Sequence, residues 1–528
     1  MTKEDRKSQS FDADLRGANL REKALRGGGF IMVCQGIDSF LRIGSIAVLA
    51  RILTPEDFGF ISMVTAVTAI AERFKDLGLS TATVQKKNIT EEQVSQLFWI
   101  NVVTAFGITI LISAMSFLIA RLFREERLIY IAIAIATGFL WSGVTIQHQA
   151  ILQRQMKYAA IGGIQMGSTV MSVGIATILA VEGYGYWALV WREVLRNVFI
   201  ALGTWMWCPW TPALPRKHVS IDHLIKFGRD ITGFNVVVFL TANIDQILIG
   251  RVYGATQLGI YRQAYQLIFW PVMQLMVPLS RVAEPTLSFL QDNGERYRNF
   301  YQKLLATVTF VMMPLILFSV IYSHEIVVVV LGDKWIEAAP IFRILALAAF
   351  IAPASDTTGL LLVTCGKTKR YLNLGLVTGL VLLLAFSIGI HWGAVGVAYG
   401  YLTAAYTLLV LRLYYSFEGT PVSARAFWKS IETPLVASGA MVMVLVVLDN
   451  LVSVHNTLSV LTIAVPVSVV AYLLAWIVMP GGKAKLDEIV HDLSTSLHLD
   501  RRYSALISSR ARQMLRNLVA RVNLRHVD

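Results

Sequence analysis

The stretch WALVWREVLRNVFIALGTW, from Trp187 to Trp205, carries Arg192 and Arg196 one helical turn apart in an otherwise apolar run, with Glu193 between them. A spacing of four puts both guanidinium groups on one helix face, roughly 10 to 16 Å in from one end at 1.5 Å per residue. Two planar forks side by side suit a pyrophosphate or a sugar carboxylate, because guanidinium donates to such oxygens in pairs. The competing arrangement is local: Glu193 pairs with Arg196, and Arg192 alone reaches toward an interface. Asp38 and Arg42 repeat the one-turn spacing, acid first, the favourable order for an intrahelical pair. Two acids stand alone, Asp245 in TANIDQILIG and Asp356 in IAPASDTTGLLL. Asp356 lies between Pro353 and Gly359, where a helix is expected to break, and broken helices near a membrane midplane often hold ions. Either acid is a candidate for ion coupling, or simply an acceptor for hydrogen bonds from a neighbouring helix.

These charges stand out because so little else is charged. Of 528 residues, 55% are hydrophobic and 15% charged, with a mean hydropathy of +0.59, whereas soluble chains carry about a quarter charged residues. Runs long enough to cross about 30 Å of hydrocarbon as helix need roughly 20 residues. They occur near 29–51, 58–84, 95–120, 128–149, 160–181, 185–206, 229–251, 257–290, 304–323, 338–364, 371–391, 394–415, 434–452 and 457–479, fourteen in all. The expectation is an all-α integral membrane protein with about 14 transmembrane helices. The polar N-terminal stretch has no apolar h-region, so the first span is expected to act as its own insertion signal.

The net charge of +13 is mostly topological. Sixteen Lys and Arg fall in loops after even-numbered spans, Lys86, Arg154, Lys226, Lys303 and Arg370 among them, against six in the opposite loops. That bias puts the even loops and both tails in the cytoplasm and argues against a nucleic-acid partner. Cys34, Cys208 and Cys365 have neither CxxC nor metal-ligand spacing, so neither zinc nor another cofactor is expected. Gly366-Lys367-Thr368 lacks the upstream glycine of a phosphate-binding loop, since position 361 is Leu.

The chain also echoes itself. ARILTPEDFGF (Ala50 to Phe60) and GRVYGATQLGI (Gly250 to Ile260) both place an Arg eight residues before a Gly, and Ser80 and Ser280 continue the offset of 200. Each echoed segment is expected to be the outer turn between the first two helices of a half. Six spans separate the copies, so the halves face the same way as parallel repeats around a central cavity. The expected organisation is a basic cytoplasmic N-terminal tail (1–28), a six-helix lobe (29–206), a cytoplasmic linker (207–228), a second six-helix lobe (229–415), two additional helices (416–480) and a cytoplasmic tail (481–528). In that tail, Tyr503, Leu506, Met514 and Leu518 at helical spacing alternate with Arg510, Arg512 and Arg516, the pattern of a helix lying on anionic lipid or docking a partner. The eighth span carries Pro271, Pro278 and Pro285, and is expected to bend.

LARILTPEDFGF, LGLSTATVQKK and NIDQILIGRVYGATQLGIYRQAYQL, with GYGYWALV at the fifth-to-sixth-helix turn, resemble the polysaccharide-transporter branch of the multidrug/oligosaccharidyl-lipid/polysaccharide exporter superfamily, the Wzx-type flippases. The resemblance covers about residues 25 to 480. It implies two six-helix lobes, a V-shaped cavity, and transport of undecaprenyl-pyrophosphate-linked oligosaccharide across a bacterial inner membrane for exopolysaccharide, capsule or lipopolysaccharide synthesis. It also implies a cationic cavity, for which depth and spacing nominate Arg42, Arg192, Arg196 and Arg281, and partners in the polysaccharide polymerase and export machinery. Competing readings are an ion-coupled small-molecule antiporter, which would favour acidic and aromatic cavity groups, and a peptidoglycan-precursor flippase. A membrane-embedded polymerase or ligase would be an enzyme needing a large outer loop, and the longest outer connections, around 121–127 and 323–338, are short.

Overall fold

Thr54 and Pro55 set the first turn. The Thr54 hydroxyl accepts from the Asp57 N–H at 3.3 Å, the Asp57 carboxylate accepts from the Thr54 N–H at 2.9 Å, and Pro55 occupies the first helical position, where no N–H is needed. In the second copy the turn is made by Gly254, 200 positions on, at φ 79° and ψ −170°, a conformation that favours glycine. The chain folds back there: Tyr261 Oη donates to Asp245 Oδ2 at 2.9 Å, whereas sixteen residues of straight helix would separate them by about 24 Å.

The computed structural model describes residues 20–76, 78–86, 89–214, 243–451 and 456–488, with the backbone alone for 20–35 and 73. Among these residues there are sixteen α-helices and no strand: α1 Leu20–Ile52, α2 Pro55–Phe74, α3 Leu79–Gln85, α4 Glu91–Phe123, α5 Arg127–Arg154, α6 Tyr158–Val181, α7 Tyr186–Trp207, α8 Ile244–Phe289, α9 Gly294–Ile321, α10 Ser323–Leu331, α11 Ala338–Ala349, α12 Ala352–Thr364, α13 Thr368–Gly389, α14 Gly393–Phe417, α15 Ala424–Leu451 and α16 Thr457–Val478. The N-terminal tail through residue 19, most of the linker with the start of the seventh span (215–242), and the tail from 489 lie outside the described residues.

Two expected spans are broken. The second stops at Phe74 and resumes at Leu79, with Gly78 at φ 70° and the Glu72–Lys75 ion pair beside the gap. The tenth bends by 40° between α11 and α12, upstream of Pro353, whose missing N–H suits the first turn of α12. α8 is thus two helical segments, 244–253 and 255–289, meeting at Gly254, and Pro271, Pro278 and Pro285 all sit inside helical backbone of the second.

Seven stretches are long and apolar enough to cross a membrane, one of them the 50-residue Thr368–Phe417 that holds both α13 and α14, and the bent pair α11 and α12 adds an eighth, so the expected count of fourteen is not reached by that measure among the described residues. α2, α7 and α8 are long enough but fail on polarity or charge, and α1 is also outside the seven. Three of them, α1, α7 and α8, carry the interior arginines Arg42, Arg192, Arg196 and Arg262.

The largest buried cluster joins both halves at the Thr54–Gly254 end. Leu49, Phe58, Phe60 and Met63 pack there with Leu258, Tyr261, Ala264, Trp335 and Phe342. Trp335 is fully buried; its Nε1–H donates to the Ala50 carbonyl at 2.9 Å, and its ring meets Phe58 edge-on at 5.2 Å. Arg51 donates to the Val329 carbonyl at 2.8 Å and Lys334 to the Ile52 carbonyl at 3.2 Å.

At the centre of this closure the echoed glycines meet. A Cβ on Gly59 would sit 1.9 Å from the Ala255 carbonyl oxygen, and one on Gly259 would sit 1.9 Å from the Pro55 carbonyl oxygen. Ala255 is the repeat counterpart of Pro55, so the contact is reciprocal, two-fold in character, and made of backbone against backbone.

Toward the other end the halves have separate cores. One contains Leu79, Leu97, Phe98, Leu152 and Trp210 from the first half only; the other contains Leu287, Tyr297, Tyr301 and Leu361 with Phe427 and Ile431 of α15. Helices α15 and α16 pack on α9 and α10 through Met441, Tyr472 and Trp476. The result is two six-helix lobes joined at one end and independently packed toward the other, with two further helices on the second lobe.

Candidate functional site: a cationic cavity between the lobes

Helices α1, α2, α6, α7 and α8 enclose a cavity of about 510 Å³, bordered by Phe58, Leu189 and Phe269 of the shared core. Ala188, Val190, Val194 and Ala201 bury one face of α7, which turns Arg192, Glu193 and Arg196 to the cavity wall. Arg42 enters from α1 and Arg262 from α8. Four arginines therefore face one glutamate.

What these arginines touch decides their chemistry. Arg42 is committed: its Nε–H donates to Asp38 Oδ2 at 2.8 Å, Asp38 Oδ1 accepts the Thr169 hydroxyl at 2.9 Å, and the guanidinium lies 5.9 Å from the Trp270 ring centre. Arg192, Arg196 and Arg262 have no ion pair within 4.0 Å and no hydrogen bond among the described residues, and Arg196 Nε is buried without a partner. Glu193 does not close on Arg196, so the local-pair arrangement is not the one adopted. The three are half-buried with no acid in ion-pair contact among the described residues, and interior arginines of this kind mark a place suited to receive an anion.

The structure distributes the other nominated residues elsewhere. Arg281 is exposed and outside the cavity, about 28 Å along α8 from Arg262 at 1.5 Å per residue. Asp245 is buried at 4% exposure; Oδ2 accepts the Tyr261 hydroxyl, and Oδ1 has no partner. Asp356 pairs with Arg412 at 3.0 Å, and the same guanidinium nitrogen donates to Ser355 Oγ at 3.1 Å. Neither acid lines the cavity.

This pairing has a measurable consequence. Arg412→Gln is expected to lower the thermal unfolding midpoint, and adding Asp356→Asn is expected to restore part of it, with a coupling on the order of 1 kcal/mol in the double-mutant cycle. Strictly additive midpoints would contradict the pairing.

Arg262 is the cavity residue that spacing did not nominate. Its signal is the stripe Arg262, Gln266, Phe269 and Met273, which follows helical spacing down one face of α8 and lines the cavity throughout.

A family model described as "Polysaccharide biosynthesis protein" matches residues 48–340. Among curated relatives, the teichuronic acid biosynthesis protein TuaB of Bacillus subtilis (strain 168) is 26% identical over 431 residues, covering 80% of this chain and 88% of its own. The lipopolysaccharide biosynthesis protein WzxC of Escherichia coli (strain K12) is 24% identical over 391 residues, covering 73% and 79%. Of solved structures, the lipid II flippase MurJ in an inward closed conformation superposes with a TM-score of 0.69 at 15% identity, over 84% of this chain and 97% of that one. An inward-facing multidrug resistance MATE family transporter of the MOP superfamily superposes with a TM-score of 0.55 at 14% identity, over 73% and 97%. The fold is that of this transporter superfamily.

Proposed function

The chain belongs to the polysaccharide biosynthesis protein family, and on that premise we propose that it flips undecaprenyl-pyrophosphate-linked oligosaccharide repeat units across the bacterial inner membrane by alternating access. The observation that carries this reading is the set of three unpartnered arginines, Arg192, Arg196 and Arg262, in a cavity between two lobes. A pyrophosphate is the common anionic part of such substrates, and bidentate guanidinium donation answers its geometry. The polyprenyl chain stays in lipid while the polar head crosses inside the protein. The names of the relatives, in teichuronic acid and lipopolysaccharide biosynthesis, agree with a polysaccharide cargo.

Positive-inside bias supports placing the Thr54–Gly254 end outward and both tails in the cytoplasm. The described conformation is then closed to the outside by the glycine contact, with the cavity below it. Asp245, buried with one free carboxylate oxygen, is the better candidate for ion coupling, because Asp356 is neutralised by Arg412. The antiporter reading is weakened by the lining, since four arginines repel the organic cations such proteins export. Purified protein is expected to be thermally stabilised by undecaprenyl pyrophosphate bearing an oligosaccharide, and not by a neutral glycolipid with the same sugars. Equal response to both would reject the pyrophosphate as the recognised group.

A further inference from the structure

Beyond Arg262, the α8 wall of the cavity is built from different chemistry. Along α8 the cavity is lined by Gln263, Tyr265, Gln266, Phe269 and Trp270. The Tyr265 ring stacks between Tyr261 at 6.4 Å and Phe269 at 4.4 Å, so its faces are already taken up within α8. Trp270 is held on one side by the Arg42 guanidinium.

The polar groups around the cavity divide sharply by what they are already doing. The hydroxyls of Ser45, Ser62, Thr65 and Ser172 donate to backbone carbonyls of their own helices at 2.8 to 3.0 Å. Gln263 is different: its side chain is 4% exposed, and its Oε1 is buried without a partner. Gln266 is half-buried and makes no hydrogen bond among the described residues. A buried amide oxygen with no partner is costly, and at the cavity wall it is hydrogen-bonding capacity that a ligand could use.

We infer that the α8 face of the cavity is a subsite for a pyranose ring, the sugar attached directly to the pyrophosphate, with Gln263 and Gln266 pairing its hydroxyls and Trp270 taking its C–H face. This rests on the pyrophosphate reading above. An amide offers both a donor and an acceptor, which matches neighbouring hydroxyls. A cavity of about 510 Å³ is of the size that takes a small molecule, so the rest of the glycan lies beyond it. With phosphate held by Arg192 and Arg196 of α7 and Arg262 of α8, the ring joined to it falls beside Gln263 and Gln266, the amides next along α8 from Arg262. A site with unpaired buried amides discriminates against analogues lacking the hydroxyls, so this wall selects among first sugars.

The test compares binding of undecaprenyl pyrophosphate with and without a single sugar, using glucose, galactose, N-acetylglucosamine and N-acetylgalactosamine in turn, to the full-length protein in nanodiscs. The wild type is expected to bind at least one sugar-bearing lipid about tenfold more tightly than the bare one. Gln263→Leu, and independently Gln266→Leu and Trp270→Leu in case the first fails to fold, are expected to shrink that ratio toward one. A wild-type ratio of one for all four sugars, or a ratio that survives in all three variants, overturns the subsite. Parallel loss of affinity for both lipids overturns it in favour of a structural role. If the wild type binds neither lipid, the pyrophosphate reading fails, and the subsite falls with it.

Discussion

Replacing Arg192 and Arg196 together by glutamine is expected to reduce transport roughly a hundredfold or more while raising the thermal unfolding midpoint of the ligand-free protein. The two effects have one cause. Each guanidinium bond to a phosphate oxygen is worth about 1.5–3 kcal/mol, so losing two removes enough binding for that factor. In the ligand-free protein the same cations have no partner among the described residues, and relieving their desolvation stabilises the fold. Arginines with a structural role predict the opposite sign, a lower midpoint. Arg42 is the internal comparison: its ion pair with Asp38 makes Arg42→Gln destabilising. Transport assayed at matched protein levels, with midpoints measured on the same preparations, distinguishes the cases.

Alanine at Gly59 or Gly259 is expected to force the Thr54–Gly254 end apart. A Cβ 1.9 Å from a carbonyl oxygen on the facing helix cannot be accommodated by a side-chain rotation, because the obstacle is backbone. Overpacking of about 1–3 kcal/mol, applied to one state of a two-state cycle, shifts its population by about ten- to a hundredfold. The readout is a single thiol in the cavity, Thr65→Cys in a chain without Cys34, Cys208 and Cys365, labelled by a membrane-impermeant reagent from the outer face. Labelling is expected to rise about tenfold or more with either alanine, and transport to fall because one required state is lost. Gly44→Ala, where an added Cβ meets nothing within 4 Å, is the control and should leave labelling as it was. Unaltered labelling in both Gly59→Ala and Gly259→Ala would remove this contact as the gate.

The repeat was legible because it is written in local signals: an Arg, a turn and a Gly at fixed offsets. That Gly59 and Gly259 face each other was not, since a helix sequence carries no address for the partner helix. Apolar runs located most of the helices, yet the break at Gly78 subdivided one unannounced, because hydropathy is blind to backbone dihedrals, whereas the bend just upstream of Pro353 was signalled by the proline. At the cavity, Arg192 and Arg196 announced themselves by spacing, and Arg42 by its pair with Asp38. Arg281 shared their residue type but not their place, about a membrane thickness away along α8 from Arg262. Asp356 read as an isolated acid because its partner Arg412 comes from a helix 56 residues later. Isolation in sequence and isolation in space are different properties, and pairings between helices are where they part.

The central claim, movement of a lipid-linked glycan head across the bilayer, is tested most directly in liposomes holding undecaprenyl-pyrophosphate oligosaccharide, with and without the purified protein. A lectin or glycosidase added outside reaches one leaflet only. The accessible fraction is expected to change with protein, and the change to be abolished by the double arginine variant. An accessible fraction independent of the protein, across several glycans and with proton and sodium gradients imposed, would contradict it.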